Sequence, residues 1–137
     1  MRPAAIVIRH PASGAAHLIA KLDVCPVING GDGTHEHPTQ ALLDVMTIQQ
    51  RVGDLAGKNI AIVGDILHSR VARSNIFALK TLGANVRLIG PPTLVPPLFE
   101  AWGVKRYTSM EQGLTGVDAI IMLQIGKYSN TFLIHYP

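Results

Sequence analysis

Three polar clusters in this 137-residue sequence carry side chains able to hold and polarise an anionic substrate. Arg9-His10-Pro11 follows the short apolar run Ala4 to Ile8. A guanidinium at that strand end has the planar fork that suits a phosphate or carbonyl oxygen, although on residue type alone Arg9 reads equally as a surface arginine. The run Gly31-Asp32-Gly33-Thr34-His35-Glu36-His37-Pro38-Thr39-Gln40 is a glycine turn opening directly into a helix, with proline where the first turn tolerates a missing N–H. Such a helix start offers unpaired N–H groups and a positive dipole end to an anion or oxyanion. His37 and Gln40, three apart, share one helix face. His37 also reads as the capping residue, a role compatible with ligand binding. Metal chemistry at His35-Glu36-His37 is disfavoured, because zinc on a helix takes histidines four apart and no further ligand is evident nearby.

The third cluster is Gly64-Asp65-Ile66-Leu67-His68-Ser69-Arg70-Val71-Ala72-Arg73-Ser74-Asn75, which follows the apolar run Asn59 to Val63. A dinucleotide site there would need the three-glycine turn that lets backbone approach a pyrophosphate, and one glycine is present, so nicotinamide chemistry is disfavoured. Arg70 opens a helix from the loop and is well placed to take a carboxylate with both ends of its fork; the alternative is a surface helix arginine. Arg73, one turn on, reads as solvated.

The elements that must position these residues alternate strand and helix, the pattern of an α/β fold with parallel sheets flanked by helices. Strands are expected at Ala4 to Ile8, Pro26 to Ile28, Asn59 to Val63, Asn85 to Ile89, Lys105 to Tyr107 and Asp118 to Leu123. Helical mixtures fall at Ala15 to Leu22, Pro38 to about Arg51, Arg70 to Leu82, Thr93 to Trp102 and Met110 to Gly113. The second helix is expected to turn Ala41, Leu42, Val45 and Met46 to one side, and the third to bury Ala72, Ile76 and Leu79. Asn29 to Gly33 reads as turn, and Gly57 as a hinge between residues 1–53 and 54–137. In a parallel sheet ligands bind beyond the carboxyl ends of the strands, which assigns the chemistry to the loops after Ile8, Ile28, Val63 and Leu123.

Composition narrows the partners. The net charge of +3 comes from basic residues scattered along the chain without forming a run, which argues against nucleic acid and suits small anions. One cysteine excludes an internal disulfide and favours a reducing, cytoplasmic setting; no apolar stretch is long enough to span a membrane, and no signal peptide is evident.

Ile8-Arg9-His10-Pro11, the block Gly31 to Asp44 containing His-Pro-Thr-Gln, and Gly64 to Asn75 containing His-Ser-Arg-Val-Ala-Arg-Ser together resemble the aspartate carbamoyltransferase catalytic chain from about Ala4 to Leu123. Ornithine-specific relatives typically have cysteine where Thr39 stands. The resemblance implies that residues 1–53 are the C-terminal part of a carbamoyl-phosphate-binding lobe with its connecting helix, followed in 54–137 by an incomplete Rossmann-like, aspartate-binding lobe. It implies carbamoyl phosphate and L-aspartate as substrates in pyrimidine synthesis, no metal or organic cofactor, and a homotrimer. Arg9 and His37 would contact the carbamoyl oxygen, Gln40 its amino group, and Arg70 a carboxylate of aspartate.

Departures accompany the matches. The family's phosphate-binding Ser-Thr-Arg-Thr loop, and the serine-and-lysine loop that a neighbouring subunit lends, would lie upstream of Met1. After its last strand the family usually has Met-Leu-Arg-x-Gln, where this chain has Met122-Leu123-Gln124-Ile125-Gly126. A lone copy is therefore expected to bind phosphate weakly and to be weak or inactive. The alternative function is a truncated, non-catalytic homologue that binds ligand or partner chains. Residues 124–137 are atypical and are expected to be poorly packed, a frameshift near codon 124 being one origin, with Phe132, Leu133 and Ile134 able to pair as an edge strand.

Overall fold

A computed structural model describes residues 3–123 and the backbone of 132–134. The chain forms two parallel sheets joined through one helix pair. In the first, β1 (Ile6–His10) pairs in parallel with β2 (Val27–Asp32), and α1 (Ala15–Ala20) connects them. The expected turn at Asn29-Gly30-Gly31-Asp32 is instead the last four of the six residues of β2. Its glycines permit the strand: a Cβ on Gly30 would lie 3.3 Å from the Ile8 carbonyl oxygen, and Gly31 has φ +118°. Ile8 pairs with Asn29 and His10 with Asp32, so the register shifts by one residue beside Arg9. The actual turn is Gly33-Thr34-His35, closed by the Asp32–Glu36 bridge.

The helix α2 (Pro38–Val52) starts at His37 and stops at Gly53, with Pro38 at N1 as the sequence requires. Its buried stripe is Ala41, Asp44, Val45 and Ile48, not the expected Ala41, Leu42, Val45 and Met46; Leu42 and Met46 are exposed. The stripe is rotated because α2 packs on α3 (Arg70–Thr81), and Val45 and Ile48 enter the core of the second sheet.

That sheet has the order β5-β4-β3-β6-β7, with β3 (Asn59–Val63), β4 (Asn85–Ile89), β5 (Lys105–Tyr107) and β6 (Ala119–Met122) all parallel. The last strand, β7 (Phe132–Ile134), runs antiparallel along the edge of β6, the edge pairing open to this segment; the rest of 124–137 lies outside the described residues. From Ile60 onward central strand β3 is apolar because both faces are covered. Ile60 and Ile62 join Val71, Ala72, Ile76, Leu79 and Phe99 on one side. Ala61 and Val63 join Ile89 and Ile120 on the other, beneath α4 (Met110–Leu114) with its Leu114. Between Thr93 and Trp102 the expected helix is a 3-10 helix over Pro97–Trp102.

Chain order places β4 and β5 on one side of β3 and β6 on the other, so the sheet reverses between the carboxyl ends of β3 and β6. At that point Gly64, at φ +124°, lies so close to the Leu123 carbonyl that an added Cβ would be 2.7 Å from its oxygen. Among the described residues no helix is long and apolar enough to cross a membrane.

Candidate functional site

The start of α2 gathers the polar residues of both sheets. His37 caps the helix: its Nδ1 accepts the Gln40 backbone N–H at 3.4 Å, and its own backbone N–H donates to Ser74 Oγ of α3 at 2.9 Å. A ring nitrogen that accepts a backbone N–H is unprotonated, so the neutral imidazole carries its proton on Nε2 and can donate from there. Burial, then the charges of Arg70 and Arg9, hold His37 below the usual histidine range, with Asp44 acting weakly against them. The neutral, donating form is therefore the one favoured near neutral pH.

Arg70 reaches from the first turn of α3 across to the other sheet. Its Nη1 donates to the Gly33 carbonyl at 3.1 Å, and its guanidinium lies on Gly31, where a Cβ would be 3.0 Å from the central carbon. A Cβ there would crowd the fork, and the positive φ of Gly31 itself favours glycine. Burial and the neighbouring charge of Arg9 lower the Arg70 pKa, partly countered by Asp32. Arg9 itself stands exposed on β1, within electrostatic reach of both Arg70 and His37. Two guanidinium groups, a donating imidazole and a fifteen-residue helix N-terminus thus share one corner, which favours an anionic or oxyanionic ligand.

Gln40 lies half-buried one turn into α2 and donates from Nε2 to Asp44 Oδ1 at 2.8 Å. Thus Arg9, His37 and Arg70, three of the four residues singled out in the sequence, meet electrostatically, and Gln40 joins through the cap. Arg73 differs from expectation: it is half-buried, donating from Nη2 to the Leu67 carbonyl at 3.1 Å, with its Nε buried and unpaired. It braces the loop after β3 rather than facing solvent. His35 is tied to Asp32 at 3.1 Å, and among the described residues no group of three potential metal ligands occurs.

The sequence reading missed the acids and amides that hold this corner. Asp32 is 2% exposed and accepts hydrogen bonds from the backbone N–H groups of Gly14 and Glu36 and from His35. Burial by itself would raise its carboxyl, but these bonds outweigh it and bring the pKa down to about 2. Asp44 and Asn75 are buried together between α2 and α3, 2.7 Å apart. Asp44 had a legible signal, a charged residue inside the apolar stripe of α2; Asp32 had none, because glycines and polar residues surround it.

Residues 1–50 match the family model for the aspartate/ornithine carbamoyltransferase, carbamoyl-P binding domain. The chain is 57% identical over 125 residues to the aspartate carbamoyltransferase catalytic subunit of Desulfitobacterium hafniense (strain DSM 10664 / DCB-2), covering 91% of this chain and 40% of that protein. It is 60% identical over 127 residues to the corresponding subunit of Rhodococcus jostii (strain RHA1), covering 88% and 40%. Among solved structures, ligand-free aspartate transcarbamoylase from Trypanosoma cruzi superposes with a TM-score of 0.72 at 29% identity, over 87% of this chain and 44% of that one. The catalytic subunit of the M. Jannaschii enzyme gives 0.66 at 35% identity, over 86% and 41%.

The fold is therefore α/β with parallel sheets flanked by helices, as in the solved aspartate transcarbamoylases, and its first 50 residues match the carbamoyl-P binding domain model. Over about nine tenths of its length it matches aspartate carbamoyltransferase catalytic subunits, and it spans about 40% of the length of the curated relatives it matches.

Proposed function

We propose that this corner binds carbamoyl phosphate and L-aspartate and carries part of the transfer of the carbamoyl group to the aspartate amine, a step of pyrimidine biosynthesis. The observation that carries the reading is the convergence of Arg9, His37 and Arg70 on the N-terminus of α2. In this reading residues 1–53 are the carbamoyl-phosphate side and 54–137 the aspartate side. Arg70, bridging the two through the Gly33 carbonyl, orients the aspartate carboxylate. The amine attacks the carbonyl carbon, and negative charge builds on the carbamoyl oxygen. His37, donating from Nε2, and Arg9 stabilise that charge. The tetrahedral intermediate collapses by breaking the bond to the phosphate oxygen. Phosphate leaves and accepts the proton that the amine releases. Catalysis here is mainly the positioning of two bound reactants together with oxyanion stabilisation. The same relationship suggests a cytoplasmic homotrimer as the working form.

The test is a chimera in which residues 4–123 replace the matching segment of the D. hafniense catalytic subunit, assayed for N-carbamoyl-L-aspartate beside the 137-residue chain itself. The chimera is expected to turn over, and His37→Ala within it to lose about 10²–10³-fold in kcat, the usual effect of removing one oxyanion donor. A chimera that assembles like its parent and binds phosphate but forms no product would refute the catalytic assignment and favour a ligand-binding homologue.

A further inference from the structure

We infer that Asp44, held by Asn75, is the positioning residue that makes this site select a ligand amide. By taking the nitrogen of the Gln40 side chain, it leaves the Gln40 oxygen as the group offered to the ligand. The inference rests on the carbamoyl-binding reading above and supplies its selectivity.

The orientation follows from hydrogen-bond chemistry. A carboxylate only accepts, so the Gln40 atom 2.8 Å from Asp44 Oδ1 has to be Nε2. The same holds for Asn75, whose nitrogen faces two acceptors, Asp44 Oδ2 at 2.7 Å and the Val71 carbonyl at 3.1 Å. Turning either amide over would press oxygen against oxygen. Asn75 accepts a penalty for this arrangement, because its Oδ1 is buried without a partner. Asp44 is 3% exposed and Asn75 is fully buried, so water does not readily replace either bond. No described residue hydrogen-bonds the Gln40 oxygen, and Gln40 is a half-buried residue one turn from the His37 cap. An amide bound there can donate its N–H to that oxygen. A methyl ketone has nothing to donate, and a carboxylate would present a second acceptor. Discrimination between carbamoyl and acyl groups is thus set one residue behind the contact, by Asp44.

The experiment titrates the isotopically labelled full chain by NMR, which detects weak binding, with phosphonoacetamide, with its methyl-ketone counterpart 2-oxopropylphosphonate, and with inorganic phosphate. The wild-type chain is expected to prefer the amide by about two- to tenfold, the range of one hydrogen bond. In Asp44→Asn the new amide can donate to the Gln40 oxygen and release its nitrogen; the amide-to-ketone preference, each measured against phosphate in the same variant, should fall to about one. A preference retained in Asp44→Asn overturns the inference and leaves the carbamoyl reading standing. A wild-type chain without any preference, or without binding, overturns that reading itself and the inference with it. Should Asp44→Asn lose its native spectrum, the wild-type chain decides: on adding phosphonoacetamide the Gln40 Nε2 protons should hold their carboxylate-bonded shift while the Gln40 carbonyl carbon moves. Displacement of the Nε2 protons instead would overturn the proposal.

Discussion

Replacing Asp32 by asparagine tests whether the acid beneath the substrate corner is held as an ion. Its carboxyl titrates at about 2 in the folded chain against 3.8 ordinarily. The difference is worth about 2 kcal/mol of stability, since one pH unit corresponds to about 1.4 kcal/mol. The pKa is depressed on folding, so this stability is fully present above pH 3.8 and is lost as pH falls through about 2. Linkage puts the loss at about 1 kcal/mol by pH 3, close to half. Asparagine resembles the protonated acid: one of its two side-chain positions becomes a donor and faces a backbone N–H of Gly14 or Glu36. Urea denaturation at pH 6, 4 and 3 should therefore show Asp32→Asn less stable by about 2 kcal/mol at pH 6, with the gap narrowing to about half at pH 3. A gap that stays constant from pH 6 to pH 3, or one below about 0.5 kcal/mol at pH 6, would show that the ionised carboxylate does not organise the loop.

Three further perturbations probe the same corner. Arg70→Ala should raise the His37 pKa toward 6.5 without reaching it, because burial, the largest cause of the depression, remains; an unchanged His37 ring titration by NMR would contradict the proximity of the two groups. Since His37 is depressed on folding, its contribution to stability is present above pH 6.5 and lost as pH falls through the folded value, and that slope should flatten in Arg70→Ala. Gly33→Ala places a Cβ at φ +54°, 2.8 Å from the Ser13 nitrogen and 2.9 Å from the Pro11 oxygen, and should lower stability by at least about 1–2 kcal/mol in thermal unfolding, whereas an unaffected midpoint would mean that the turn can relax. Ile76→Ala, at a site with no solvent exposure between α3 and β3, should cost about 2–5 kcal/mol by denaturant titration; a loss under about 1 kcal/mol would mean the core re-closes.

The bounds of β3 and β4 could be read from the chain because largely apolar runs between glycine stops have few alternatives in a parallel sheet. So could the start of α2, where Pro38 and a preceding cap leave one placement. Motif residues Arg9, His37, Gln40 and Arg70 were visible because their types announce chemistry at strand ends and helix starts. What remained hidden depended on partners distant in sequence. Asn29 to Asp32 looked like turn until β1 supplied the pairing that only glycines could accept so closely. Leu42 and Met46 fit the helical period as well as Asp44 and Ile48 do; the packing of α3 on α2 chose between the faces. Arg73 became a brace rather than a solvated charge when the loop after β3 folded over it. The residues that fix the site's geometry, Asp32, Asp44, Ser74 and Asn75, are polar groups whose burial is acceptable only because donors or acceptors from another segment meet them. Residue types and local periodicity therefore set which groups could act and which segments would be strands or helices. Which buried polar groups orient them was decided only when α2, α3 and the β2 turn came together, because hydrogen-bond satisfaction in the interior depends on the whole set of neighbours.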